Sequence, residues 1–263
     1  MPETFTDHLG RRVRVPSPPQ RIISLCPSQT ATLFALGLGG KVVGRTRFCI
    51  HPQPEITTVE RVGGTKAIKY ERISRLAPDL IIGEKEENTP EMVAQLEREY
   101  PVYITDVRDL GSAEQMVRDL GRITGQPAAG AALAEAIQDG MASIRPLAPR
   151  PHCVYLIWRK PWMAAGADTF IDAVLQHCGF DNLARAWEGR YPEFRLDDLR
   201  QWAPRTVFLS SEPFPFAQKH REEIRAVLPE AEVRLVDGEM FSWYGSHMQA
   251  APDYLNALLE NFR

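Results

Sequence analysis

PAAGAALAEAIQDGMASIR, residues Pro127 to Arg145, lies near the middle of the chain and reads as one uninterrupted helix. Gly125 closes the helix before it, Pro127 sits where a first-turn proline is tolerated, and Pro146 and Pro149 stop it. Ala129, Ala132, Leu133, Ala136, Ile137, Met141 and Ile144 recur at the three-and-four spacing of one helix face, whereas Glu135, Gln138, Asp139 and Ser143 fall elsewhere. At about 1.5 Å per residue the stretch spans roughly 28 Å, the width of a small domain and long for a connector. An ordinary amphipathic surface helix would look the same, so the flanking sequence decides.

On either side the order of elements begins afresh. Before it come a hairpin over Phe5 to Val15, a buried strand at Arg21 to Cys26, a helix from Gln29 to Leu36 capped by Ser28, and a strand at Lys41 to Gly44. Arg45 to Gly64, rich in proline, glycine and threonine, reads as a long loop, and loops of that length are usually functional. Helices at Glu71–Leu76, Pro90–Tyr100 and Ser112–Thr124 alternate with strands at Asp79–Gly83 and Val102–Thr105, the pattern of a parallel sheet covered on both faces. After it, strands are expected at His152–Trp158, Thr206–Leu209 and Glu232–Val236. Helices are expected at Asp168–Cys178, Leu196–Trp202, Gln218–Leu228 and Pro252–Phe262.

The two halves share a unit. Glu71 begins a short helix that stops at Ala77-Pro78 and feeds the apolar run Leu80-Ile-Ile82. Asp197 begins another that stops at Ala203-Pro204 and feeds Val207-Phe208. In both, an acid precedes the proline by seven residues, which supports an architectural duplication. The reading is an α/β protein of two lobes joined by one helix: residues 1–124, a connecting helix within 125–148, and residues 149–263. The length of 263 residues suits two domains.

Composition excludes several classes. With 31 basic against 34 acidic residues and a net charge of -3, the chain has no electrostatic footprint for nucleic acid or an anionic membrane. Cys26, Cys49, Cys153 and Cys178 show neither a C-x-x-C pair nor zinc-ligand spacing; they read as small core hydrophobes, with a disulfide as the other possibility. The start, MPETFTDHLGRR, has no basic segment followed by an apolar run, and no stretch of about 18 apolar residues exists. As written the chain reads as soluble and unexported, or as one from which a signal or lipoprotein anchor was removed. Gly37 to Gly44 lacks G-x-G-x-x-G, and there is no G-x-S-x-G, Walker loop or H-E-x-x-H, so no enzyme is expected.

As an ordered set, Asp7-x-Leu-Gly-Arg11, Pro19-Gln-Arg-Ile-Ile-Ser-Leu-Cys-Pro-Ser28, Val62-Gly-Gly64 and Glu71-Arg-Ile-x-x-Leu-x-Pro-Asp-Leu-Ile-Ile82 resemble the extracytoplasmic substrate-binding proteins of ABC importers for cobalamin, haem and ferric siderophores, closest to the cobalamin-binding type. The resemblance implies two parallel-sheet α/β lobes joined by a rigid helix, little closure on ligand, a ligand between the lobes and no required cofactor. It also implies partners in a permease and ATPase, a monomeric, extracytoplasmic protein, and one acid on each lobe that docks on permease arginines. By position these are Glu71 and Asp197, the latter one methylene shorter than the family's usual glutamate.

Ligands of open α/β sheets bind beyond the carboxyl ends of the strands. The candidates there are Pro27 and Ser28, then Phe48 and His51, then Glu84. From the second half come Arg159 and Trp162, Glu212 and Phe214, and Phe241, Trp243, Tyr244 and His247. The aromatic residues suit a large flat ligand. Trp158, inside a strand, is assigned to the core, and Trp162 and Trp243, in loops, to the ligand. His51 and His247 are candidate imidazole ligands for a corrinoid or haem metal, and Cys49-x-His51 with His247 for a transition ion. Arg45, Arg47 and Arg159 are candidates for ligand carboxylates. The expected function is therefore a non-catalytic binding protein for a metal chelate. The alternative is a cytosolic enzyme or metallochaperone of tetrapyrrole or metal metabolism on the same fold.

Overall fold

Asp7 shows how the N-terminal hairpin is made. Its carboxylate accepts the backbone N–H groups of Leu9 (3.0 Å) and Arg11 (2.9 Å), and Gly10 takes the positive φ of 77° that closes the turn. The computed structural model, which describes residues 2–263, thus pairs β1 (Glu3–Thr6) antiparallel with β2 (Arg12–Val15). The same carboxylate reaches the N–H of Ile104, fastening the turn to the sheet behind it.

That sheet is built from β3 (Ile22–Ser24), β4 (Val42–Thr46), β5 (Glu60–Gly63), β6 (Leu80–Glu84) and β7 (Val102–Thr105). Its order is β5-β4-β3-β6-β7, and every pairing is parallel. Helices α1 (Pro27–Ala35), α2 (Tyr70–Leu76), α3 (Pro90–Leu96) and α4 (Leu110–Ile123) connect or follow the strands. Ile23, Leu25, Val62, Ile73, Ile81 and Ile104 are among the side chains buried in one cluster between these elements. Continuous apolar runs in these strands are what a sheet covered on both faces requires.

The segment 45–64 departs from the loop expected there. It contains the end of β4, a short turn of 3-10 helix at Glu55–Thr58 and all of β5, whose few apolar residues hid an edge strand. Ser28 does not cap α1 either. Cys26 is the residue before the helix, Pro27 takes its first turn, and Ser28 is buried inside it.

Helix α5 (Pro127–Ala142) is the stretch from which the reading began, one turn shorter than expected. Its buried positions are Gly130, Ala134, Ile137 and Met141, followed by Ile144, while Ala129, Ala132 and Ala136 are exposed. The face is rotated from the expected one because Gly130 packs on Gly121 of α4. A Cβ at Gly130 would meet the Gly121 Cα at 2.9 Å and the Val117 carbonyl at 3.1 Å. Two glycines admit this close approach, which fixes the buried side of α5 more firmly than alanines that bury little area.

The chain divides into two units, and the division falls within α5. One unit comprises the chain up to Val107 with Gly111–Asp139 and Tyr244–His247; the other holds Arg108–Leu110, Gly140–Trp243 and Met248–Arg263. The sequence division had assigned 244–247 to the second half.

In the second unit, β8 (His152–Trp158), β9 (Trp162–Ala164), β10 (Asp181–Asn182), β11 (Glu193–Phe194), β12 (Thr206–Ser210) and β13 (Glu232–Val236) form a sheet of order β11-β9-β8-β12-β13, with β10 beside β8. Its β10, β8, β12 and β13 run parallel, but β9 and β11 are antiparallel additions, so this sheet is mixed. Helices α6 (Phe170–His177), α7 (Asp198–Trp202), α8 (Gln218–Val227), α9 (Glu239–Ser242) and α10 (Ala251–Leu259) complete the unit.

The duplicated pattern is visible in the backbone. Helices α2 and α7 both end on an alanine in the left-handed region, Ala77 at φ 43° and Ala203 at φ 44°. A buried proline follows, and then a strand flanked by parallel neighbours on both sides. Glu71 and Asp197 stand exposed at the starts of the two helices.

Candidate ligand-binding site

In the first unit, α1 is the platform. The Thr32 hydroxyl donates to the Ser28 carbonyl (2.8 Å) and accepts the backbone N–H of Ser246 (3.1 Å). Beside it Gly245 adopts φ 75°, and a Cβ there would lie 2.2 Å from the Thr32 Oγ1, so this position admits only glycine. The tie seats Tyr244–His247 on α1. Tyr244 is buried, with its hydroxyl 3.7 Å from the Cys26 Sγ and 3.5 Å from the Gln29 Nε2. Ser28 and Tyr244, both ligand candidates by sequence, are buried and bonded within this seat.

The segment carrying His51 is held as firmly. The buried Arg45 guanidinium donates to the Cys49 carbonyl (2.7 Å), and the Cys49 Sγ lies 3.1 Å from the Thr30 Oγ1 and 3.2 Å from the Thr46 Oγ1. Gln53 Nε2 donates to the Ile50 carbonyl (2.7 Å). Arg45 is therefore not free to meet a ligand carboxylate, and Cys49 does not join His51 at a metal, since burial pushes its thiol up and its sulfur faces two threonines. All four cysteines are free and buried.

These two anchored segments bring His51 and His247 together, their ring centroids 5.6 Å apart and their planes tilted by 33°. Both line a pocket of about 710 Å³ whose floor is Ala31, Phe34 and Ala35 of α1 and whose rim includes Pro52, Gln53, Glu55 and Ser246. Sequence reasoning missed the α1 floor, although Ala31, Phe34 and Ala35 have the spacing of one helix face. Phe48 is exposed, with the Arg47 guanidinium 4.7 Å from its ring centre. Behind the platform Glu84, only 2% exposed, keeps one carboxylate oxygen on the N–H groups of Glu86 (2.6 Å) and Glu87 (3.1 Å). Burial outweighs those bonds and raises its pKa to about 7.

In the second unit the exposures of the tryptophans differ from those expected. Trp158, assigned to the core, is 40% exposed and meets Phe214 edge-on at 5.8 Å. The parallel pairing of β8 with β12 stops at Leu156, so Trp158, the last residue of β8, has a strand neighbour only in Met163 of β9. Trp162 is in β9 rather than a loop, stacked on Phe216 (6.0 Å, 11°) and on Phe194 (6.5 Å, 30°) beside the hydrophobic core. Trp243 is 6% exposed, and its Nε1 donates to Glu212 Oε1 (2.8 Å), which also accepts from Ser242 Oγ (2.6 Å). Burial raises the Glu212 pKa above the usual carboxylate range, against the pull of these two donors. Phe241 is buried between Tyr155 and Phe208. Arg159 is committed to Glu223 through two bonds of 2.9 and 3.0 Å and lies 5.6 Å from the Trp162 ring centre.

Residues 22–230, which span most of both units, match the periplasmic binding protein family. The chain belongs to that family. A vitamin B12-binding protein of Vibrio cholerae is 27% identical over 199 residues, 74% of this chain and 72% of that protein. Two solved structures share the fold of this family member. The periplasmic vitamin B12 binding protein BtuF of Vibrio cholerae aligns with a TM-score of 0.77 at 23% identity over 93% of this chain and 98% of that one. A periplasmic heme binding protein from Pseudomonas aeruginosa aligns with a TM-score of 0.76 at 24% identity over 91% and 92%.

Membership answers the choice left open by the sequence. It supports a binding protein and not the cytosolic enzyme or metallochaperone of the alternative reading. Among the described residues no helix of this periplasmic binding protein family member is long and apolar enough to cross a membrane.

Proposed function

We propose that the chain is the extracytoplasmic substrate-binding protein of an ABC importer, and that its cargo is a metal chelate: a corrinoid first, with haem or a ferric siderophore as the other candidates. The observation that carries this reading is the family match across both units, together with similarity to vitamin B12-binding proteins over about three quarters of the chain. The two imidazoles on one pocket and the exposed Trp158–Phe214 pair supply the donor and aromatic surface that such cargo needs. The protein works as a monomer without a resident cofactor. It docks through Glu71 and Asp197 on basic residues of the permease, whose ATPase drives transport.

Titration of the purified protein with cyanocobalamin, haemin and a ferric siderophore, followed by absorbance or calorimetry, tests the cargo. Saturable binding of cyanocobalamin in preference to the others is the expected result. No binding of any of the three at ~100 μM refutes the reading, because even weak sites register at that concentration.

A further inference from the structure

An imidazole bound to a divalent first-row ion holds its nitrogen about 2.0–2.1 Å from the metal, which puts the ring centroid about 3.2 Å away. Two centroids 5.6 Å apart, as in His51 and His247, then subtend roughly 120° at a shared ion, within the range of a tetrahedral or trigonal site. Axial ligation of one macrocyclic metal from opposite faces needs a straight arrangement with centroids about 6.4 Å apart and the macrocycle between the rings. The separation of the pair is within reach of one shared ion and short of that of a sandwich.

We propose that His51 and His247 form a two-imidazole binding site for a divalent transition-metal ion, with its remaining coordination positions open to water or a small chelator in the adjoining pocket. Three features carry this. The ring separation suits one shared ion. Both ligands ride on backbone that is already fixed: His247 through the Thr32–Ser246 bond and the left-handed Gly245, His51 through the Arg45–Cys49 bond and the thiol seated between Thr30 and Thr46. Little ordering is then left to oppose capture of an ion. The pocket beside them has room for further ligands, and the Glu55 carboxylate on its rim attracts a cation.

Among the described residues no group of three or more histidine, cysteine or acidic side chains is placed to hold a metal, so the protein supplies two ligands and leaves the rest open. Such a site carries an exchangeable ion rather than a structural one. Imidazole donors select cobalt, nickel, copper or zinc over magnesium or calcium. The inference uses the same imidazole pair as the cargo reading and differs from it in the ligand, a bare divalent ion rather than a chelate.

Titrating the full chain with Co(II), the metal alone, tests it through the ligand-field bands that a protein-bound ion acquires. One equivalent bound and displaced by Zn(II) is the expected result. His51→Ala and His247→Ala should each weaken binding by roughly tenfold or more, while His152→Ala, at the start of β8 in the other unit, should leave it unchanged. Circular dichroism checks that each variant folds. In the unsubstituted protein, Co(II) should selectively shift or broaden the ring resonances of two of the six histidines. Bands that persist in both variants, more than two affected histidines, or no binding at ~100 μM overturns the site. Loss of Co(II) binding with intact cyanocobalamin binding separates this failure from failure of the importer reading.

Discussion

Replacing Glu84 with glutamine should flatten the pH dependence of stability between about pH 4.5 and pH 7. Glu84 ends β6, is 2% exposed, and has its pKa raised from 4.5 to about 7, first by burial and further by Glu86 and Glu87, against two backbone donors. Its proton is held more tightly in the folded than in the unfolded chain. The resulting stabilisation is therefore complete below the unfolded value near 4.5 and is lost as pH rises through about 7. At about 1.4 kcal/mol per pKa unit the full effect is about 3 kcal/mol, of which about 2.5 falls between pH 5 and pH 8. Glutamine cannot ionise, yet its carbonyl oxygen can still accept from Glu86 and Glu87. Urea unfolding of both proteins at half-unit steps of pH isolates the term, because every other titrating group is common to the two. The stability difference, wild type minus variant, should fall by about 2.5 kcal/mol from pH 5 to pH 8. A difference that stays constant would show that Glu84 reaches solvent or is paired, and would refute the reasoning.

Gly130→Ala should destabilise by about 1–3 kcal/mol in thermal melts, despite alanine's better helix propensity, because the added Cβ presses on Gly121; a more stable variant would rule out the close crossing. Ile137→Asp should cost about 3 kcal/mol or more and Gln138→Asp less than about 0.5, as buried and exposed neighbours on α5, and equal costs in urea unfolding would contradict the observed face. Trp243→Phe should cost about 1–3 kcal/mol by removing a donor from the buried Glu212, measured by urea unfolding, and a neutral result would mean that Glu212 is protonated and satisfied elsewhere. The double variant Glu71→Ala/Asp197→Ala should bind cargo as the unsubstituted protein does but support less uptake by the reconstituted importer; undiminished uptake would remove both residues from docking.

What was legible in the sequence was chemistry confined to a few neighbouring residues. The motif Asp7-x-Leu-Gly-Arg11 could be read because its carboxylate, glycine and arginine all act within one turn. Asp79 similarly pins the chain ahead of β3, accepting the N–H groups of Gln20 and Arg21 (both 2.8 Å), while the Arg21 guanidinium returns to the Leu76 carbonyl. These are fasteners of the fold, and they carried the resemblance without touching the pocket. The site residues were not placed by such local rules. His51 and His247 were found as types, but their pairing rests on a threonine hydroxyl and a glycine that meet only in the folded chain. The exposures of Trp158 and Trp162 were not legible because they depend on where a neighbouring strand stops, as at Leu156, and on whether an added strand brings a ring against the side chain, as Phe194 of β11 does for Trp162. The rotation of α5 was hidden because a glycine counts for little in any tally of hydrophobic residues and decides a helix crossing by its absence of bulk.

The four residues Tyr244–His247 complete a unit whose other parts all lie before position 140. Dissecting the gene at α5 would therefore separate a wall of the pocket from its floor. A fragment made of the first unit's leading residues alone would lack the partner of Thr32, the imidazole opposite His51 and the glycine whose missing side chain leaves room for Thr32 and Met116. Restoring those functions in a minimal protein would require grafting the tetrapeptide back as a separate strap, which makes this short insertion, and not the domain boundary, the natural handle for engineering the molecule.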